Sequence, residues 1–207
     1  MKAKICGVKD EKTLRFILDH KYPPNFIGFI SNFPKSKRFI EIDTLKYLTN
    51  INRKNVKFVA VLVDPSNEIL EKIKNFNFDY YQLYDVSPER TKIIRTKYKK
   101  KIITALTIKD KKDVNKYKDY LSISDIFLFD GKGYEKSIGF QHSLLEDLPN
   151  NIEKMIAGDI KYDDNLDNFK KITNIIDLSG SLETEDNKDL KKIDIFLNNL
   201  KELNAQN

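Results

Sequence analysis

The sequence predicts an α/β fold, a single (β/α)8 TIM barrel over residues 1–207, and three observations predict it. Short apolar runs rich in β-branched and aromatic residues recur eight times along the chain. Polar segments of helical period separate them, and such alternation implies a parallel sheet covered by helices. Eight units within 207 residues suit a compact closed barrel. A doubly wound open sheet is the alternative. It is disfavoured because no Gly-rich dinucleotide fingerprint follows any early strand.

In order, the predicted strands are Ala3–Cys6, Phe26–Ile30, Val56–Val63, Tyr80–Leu83, Ile102–Leu106, Ile126–Phe129, Lys154–Ala157 and Asn174–Leu178. The helical segments between them include Glu11–Leu18, Asn67–Phe76, Pro88–Tyr98, Lys111–Leu121 and Asp164–Ile172. Within the second of these, Ile69, Leu70, Ile73 and Phe76 fall on one stripe, the mark of a helix packed by one face. No repeat beyond this alternation, no low-complexity linker and no domain boundary is visible. The length fits one domain of about 100–250 residues.

Composition excludes several classes. With 40% apolar residues the chain can bury a core, and its 33% charged residues are evenly spread. No stretch approaches the roughly 18 apolar residues of a membrane-spanning helix. The start, Met1–Gly7, has no apolar signal core, so a cytoplasmic protein without membrane contact is expected. The single cysteine forms no intramolecular disulfide, which agrees with a reducing compartment. One cysteine and two histidines leave little for a structural zinc site. His20 and His142 are both expected to be solvated. The net charge of +6 raises the question of nucleic acid. Lysines are nevertheless interleaved with acids, as in Lys109–Asp113, and only Lys97–Lys101 is dense, so no nucleic-acid partner is expected. A phosphorylated or carboxylated small substrate accounts for mild basicity equally well.

In a barrel of this kind chemistry sits at the carboxyl ends of the strands. Cys6, Asp64, Gln82, Tyr84 and Asp130 fall there, with Gly158-Asp159 after strand seven and Ser179-Gly180-Ser181 after strand eight. Polar and small residues thus gather where an enzyme would keep its site.

Lys4-Ile5-Cys6-Gly7 resembles the KICG signature of the phosphoribosylanthranilate isomerase family. Colinear likenesses follow. They include Gly28-Phe29-Ile30 leading to Ser36–Ile40, Val59–Asp64, Tyr81-Gln82-Leu83, Phe127–Asp130, Ala157–Ile160, and Asp177–Glu183 with Lys188-Asp189. The resemblance implies an Amadori rearrangement in tryptophan biosynthesis, without metal or organic cofactor. A phosphoribosyl aminoaldose attached to anthranilate becomes an aminoketose. By resemblance Asp130 is the acid that opens the ribose ring, and Cys6 the base that takes the C2 proton. A thiol of pKa about 8.5 can serve if positive charge lowers it, while a carboxylic acid of pKa ~3.9 needs a site that favours protonation. Arg38 matches the substrate-contacting arginine, a planar fork suited to a carboxylate. Gln82 is expected to line the site. Backbone N–H groups around Gly158, Asp159 and Ser179, Gly180, Ser181 are expected at the phosphate.

Four departures from the family pattern fall in binding loops. Asp159 stands where a second glycine is usual, Ser179-Gly180-Ser181 reorders the usual SSG, and Tyr84-Asp85 replace His-Gly. Tyr134-Glu135-Lys136-Ser137 replace a glycine-rich loop, where Lys136 could supply charge to a phosphate. These departures leave open a second reading, a barrel that has lost the reaction and binds a different ligand or a protein partner.

Overall fold

The computed structural model describes residues 1–131 and 139–205. Eight parallel strands close into a barrel in sequence order. They are β1 Lys2–Cys6, β2 Phe26–Ile30, β3 Lys57–Val63, β4 Tyr80–Tyr84, β5 Lys101–Thr107, β6 Ile126–Asp130, β7 Lys154–Ala157 and β8 Ile175–Leu178. Each expected strand is present, and no end moves by more than one residue. The helices are α1 Glu11–Asp19, α2 Ile42–Thr49, α3 Asn67–Ile73, α4 Pro88–Tyr98, α5 Lys111–Asn115 and α6 Leu190–Ala205. A short antiparallel pair, β9 Glu183–Thr184 and β10 Asn187–Lys188, precedes α6.

The two faces of the barrel strands carry two separate cores. Outward residues such as Ile5, Phe29, Phe58, Leu83 and Phe129 join the apolar faces of the helices. Inward residues such as Phe26, Val59, Ile103, Leu128, Met155 and Ile175 fill the barrel. This period-two division within continuous apolar strands is what a sheet buried on both faces requires. Side-chain caps start α1, α3, α4 and α5: Asp10, Ser66, Ser87 and Asp110 each accept a backbone N–H from the first turn.

At the amino-terminal end of the barrel one device is used four times. Asn25, Asp79, Asp125 and Asn174, each just before an even-numbered strand, accept the backbone N–H of Ala3, Phe58, Ile102 and Lys154 respectively. Arg53 and Arg95 brace the two aspartates. These bonds satisfy strand donors that would otherwise be left open at the barrel rim.

Three expectations need correction. Asp164–Ile172 is not an α-helix but a 3-10 turn, Leu166–Phe169, and Lys111–Leu121 is helical only to Asn115 before turning 3-10 over Lys116–Tyr120. In the former, Leu166, Phe169 and Ile172 recur every three residues, the period of a 3-10 helix, and Asn165 caps Asp167 in place of a helix start. The histidines are not solvated. The His20 side chain is 9% exposed and meets Asp194 at 3.1 Å, while His142 is half-buried against Phe140 and Phe169. The dense lysine run is divided among local partners: Lys97 pairs with Glu71, and Lys100 donates to the Phe78 carbonyl. Among the described residues no helix is long and apolar enough to cross a membrane.

Candidate active site

A cavity opens at the carboxyl ends of the strands and brings together Cys6, Arg38, Gln82, Asp130, Gly158, Ser179 and Gly180. Tyr84 and Asp177 complete its charged and polar wall. A wider depression at the opposite end of the barrel, between Met1, Lys2, Glu153 and Asn174, lies away from these groups.

Cys6 ends β1 and is 8% exposed. Burial is the largest influence on its thiol and pushes the pKa up. The Lys4 charge and hydrogen bond pull it down, while the Asp177 charge pushes it up. Two residues apart on one strand, Lys4 and Cys6 share the inner face. Lys4 stands in register with Asp177 on β8, and Lys4 Nζ donates to Asp177 Oδ2 at 2.7 Å. Asp177 Oδ1 is buried and has no hydrogen-bond partner among the described residues.

Asp130 ends β6 and is 6% exposed. The Tyr84 hydroxyl donates to its Oδ2 at 2.9 Å, and Gln82 Nε2 lies 3.4 Å from the same hydroxyl. Burial and the neighbouring Asp130, Asp177 and Cys6 raise the Tyr84 phenol well above its ordinary value, so it stays a donor. Gln82 is 1% exposed, and its Oε1 accepts nothing from the described residues.

Arg38 reaches the cavity from the segment after β2. Its Nε and Nη2 donate to Glu183 Oε1 and Oε2 at 2.6 and 2.7 Å, a two-pronged pair. Lys188, 1% exposed at its side chain, donates to Glu183 Oε1 at 2.7 Å. Burial pushes the Glu183 carboxyl up, but Arg38 and Lys188 outweigh it and hold the pKa at about 2. The space for Arg38 depends on two glycines. A Cβ on Gly7 would stand 2.4 Å from Arg38 Cδ, and one on Gly180 would stand 3.3 Å from Nη2.

Ser179 donates its hydroxyl to the Cys6 carbonyl at 3.0 Å, and its own carbonyl accepts from Lys188 at 3.0 Å. These bonds tie the β8 turn to the end of β1. Asp159 and Ser181 do not line the cavity. Asp159 is exposed and takes the left-handed backbone its glycine-like position requires, with φ of 53°. Its Cβ abuts Gly139, where a further Cβ would come within 2.4 Å. Asp64 is likewise exposed and outside the cavity. The Tyr134–Ser137 segment with Lys136 lies outside the described residues.

Lys4, Asp177, Glu183 and Lys188 were not among the expected site residues. A signal for Asp177 was present, a charge inside the otherwise apolar strand β8, where only a paired charge is tolerated; for Lys4 it was weaker, because Lys2 shares its strand. Tyr84 was placed at a strand end, but its bond to Asp130 had no sequence signal.

The family model for N-(5'-phosphoribosyl)anthranilate (PRA) isomerase matches residues 3–199. The N-(5'-phosphoribosyl)anthranilate isomerase of Rhizobium rhizogenes is 34% identical, over 93% of this chain and 90% of that relative. Its counterpart from Rhizobium leguminosarum bv. trifolii is 33% identical, over 98% and 95%. The crystal structure of phosphoribosyl anthranilate isomerase from Thermotoga maritima superposes with a TM-score of 0.86 at 21% identity, covering 98% of this chain and 99% of that one. A second structure of such an isomerase, in complex with reduced 1-(o-carboxyphenylamino)-1-deoxyribulose 5-phosphate, gives a TM-score of 0.83 at 20% identity, with 98% and 99% covered. With a closed eight-stranded barrel and a full-length match in sequence, the chain belongs to the N-(5'-phosphoribosyl)anthranilate isomerase family.

Proposed function

We propose that this chain converts N-(5'-phosphoribosyl)anthranilate to 1-(2-carboxyphenylamino)-1-deoxyribulose 5-phosphate, with Asp130 as acid and Cys6 as base. Asp130 gives its proton to the ribose ring oxygen as the C1–O bond breaks, leaving a Schiff base. The Cys6 thiolate then takes the C2 proton, and the C–H electron pair forms the C1–C2 double bond as the C1=N π pair returns to nitrogen, giving an enolamine. The enol tautomerises to the ketone. Arg38 faces the anthranilate carboxylate, and the backbone around Gly158 and Ser179–Ser181 receives the phosphate. The buried, unpartnered oxygens Gln82 Oε1 and Asp177 Oδ1 are acceptors suited to sugar hydroxyls.

The observation that carries this reading is the convergence of Cys6, Asp130 and Arg38 on one cavity at the strand carboxyl ends. The left-handed backbone of Asp159, with φ of 53°, supports it, because the turn beside Gly158 keeps the conformation a glycine would take there. A cytoplasmic location belongs to the same reading and is supported by the single cysteine.

The test follows loss of phosphoribosylanthranilate fluorescence, with the substrate generated in situ from anthranilate, for the wild type and Cys6→Ser. Turnover that disappears in Cys6→Ser is the expected result. A folded wild-type protein without turnover would point instead to a barrel that binds a different ligand or a protein.

A further inference from the structure

We propose that Lys4, clamped by Asp177 inside the barrel, is the positioning counter-cation of the Cys6 thiolate. The inference rests on the reading of Cys6 as the base and names the group that keeps it ready.

Strand register puts the three side chains together. Lys4 and Cys6 are alternate residues of β1 and face inward, and Lys4 is paired in register with Asp177. Lys4 is fully buried, Asp177 is 6% exposed, and their 2.7 Å contact fixes the ammonium group. Gly28 of β2, in register with Cys6, supplies the meeting place. A Cβ built there would stand 3.0 Å from Cys6 Sγ, 3.0 Å from Lys4 Cε and 3.1 Å from Lys4 Nζ. The sulfur and the ammonium therefore converge on the same point, which any other residue would fill.

A buried ion pair is a weak source of stability, since apolar residues of similar volume often replace one without loss. Its presence beside the one cysteine calls for another role. Burial alone disfavours a thiolate, and Lys4 is the largest influence opposing it. Asp177 keeps Lys4 charged and in place, at the cost of some repulsion of the sulfur. The other groups whose charges bear on Cys6 are Lys188 on β10, Arg38 after β2 and Tyr84 on β4. Asp130 stands in the same cavity. Of these neighbours, only Lys4 and Asp177 are proposed to act with opposite sign through one shared contact.

Because Cys6 is the only cysteine, alkylation by iodoacetamide reads it directly. The pH midpoint of the alkylation rate is the quantity to follow, because a rise in thiol pKa also makes the thiolate more nucleophilic and blurs the rate at one pH. Lys4→Met should raise the midpoint by about one pH unit or more, and Asp177→Asn, whose amide oxygen still accepts from Lys4 while the charge repelling the sulfur is gone, should lower it. A double variant, Lys4→Met with Asp177→Leu, replaces the pair by apolar groups and guards against misfolding. Its midpoint should remain above that of the wild type. Midpoints that do not move, or that move the same way in both single variants, would overturn the proposal. The measurement needs no turnover. Unmoved midpoints in an active enzyme would remove the counter-cation alone, whereas opposed shifts in an inactive protein would leave it standing without the isomerase reading.

Discussion

Arg38 is gripped by Glu183 through two parallel hydrogen bonds of 2.6 and 2.7 Å, although the residues are 145 positions apart. The grip fixes the guanidinium plane, leaving its remaining donor edge for the cavity. Glu183→Gln keeps the shape but removes the charge, so Arg38 loses its fixed orientation. KM should rise about tenfold, corresponding to roughly 1.4 kcal/mol of binding, with kcat changed less. An equal fall in kcat with KM unchanged would show that Arg38 is not an orienting contact for bound substrate.

The same carboxylate predicts part of the acid behaviour. Glu183 is held at about 2, below its ordinary 4.5. Its contribution is therefore complete above about pH 4.5 and is lost as the pH falls through about 2. The difference corresponds to something on the order of 3 kcal/mol. Urea unfolding midpoints measured from pH 6 to pH 2 should decline less steeply in Glu183→Gln than in the wild type. Parallel curves would mean that other carboxylates carry the acid response.

Cys6→Ala and Asp130→Asn should each lower kcat by roughly 10²–10⁴-fold, the usual worth of a positioned acid or base, while circular dichroism shows the fold unchanged. Near-normal turnover in either variant would remove that residue from its assigned role.

What could be read from the sequence depended on whether the relevant physics is local. The strands could be found because burial on both faces demands continuous apolar runs such as Ile102–Leu106. Helix α4 could be bounded because Ser87 caps it and Pro88 opens it. By contrast, Asp164–Ile172 carries helical-looking polarity, but its three-residue apolar spacing suits a 3-10 turn. Cys6 and Asp130 could be placed at the carboxyl ends of apolar strands, while the roles expected of them came from the family resemblance. The Lys4–Asp177 pair was not, because its contact joins β1 to β8 across 173 residues and exists only once the barrel closes. The hold of Glu183 on Arg38 is hidden for the same reason.

Tyr84→Phe tests the support of the acid. The phenol gives Asp130 a buried hydrogen bond of 2.9 Å, at a position where the family pattern has histidine. Its removal should cost about 1 kcal/mol of stability and lower kcat about tenfold through a less fixed carboxyl group. The alkylation midpoint of Cys6 should stay within a few tenths of a pH unit. Unchanged kcat would assign Tyr84 to packing alone.

Gly7→Ala tests how the end of β1 admits Arg38. Gly7 has a φ of +75°, and an added Cβ would meet Arg38 Cδ at 2.4 Å. The left-handed backbone should cost roughly 1–2 kcal/mol of stability in any background. The steric effect, by contrast, acts through Arg38 and should raise KM about tenfold. A double-mutant cycle separates the two. With Arg38→Ala already present, Gly7→Ala should still destabilise the protein but add nothing further to KM. An equal rise in KM in both backgrounds would show that Gly7 shapes the site through the backbone, independently of the arginine it makes room for.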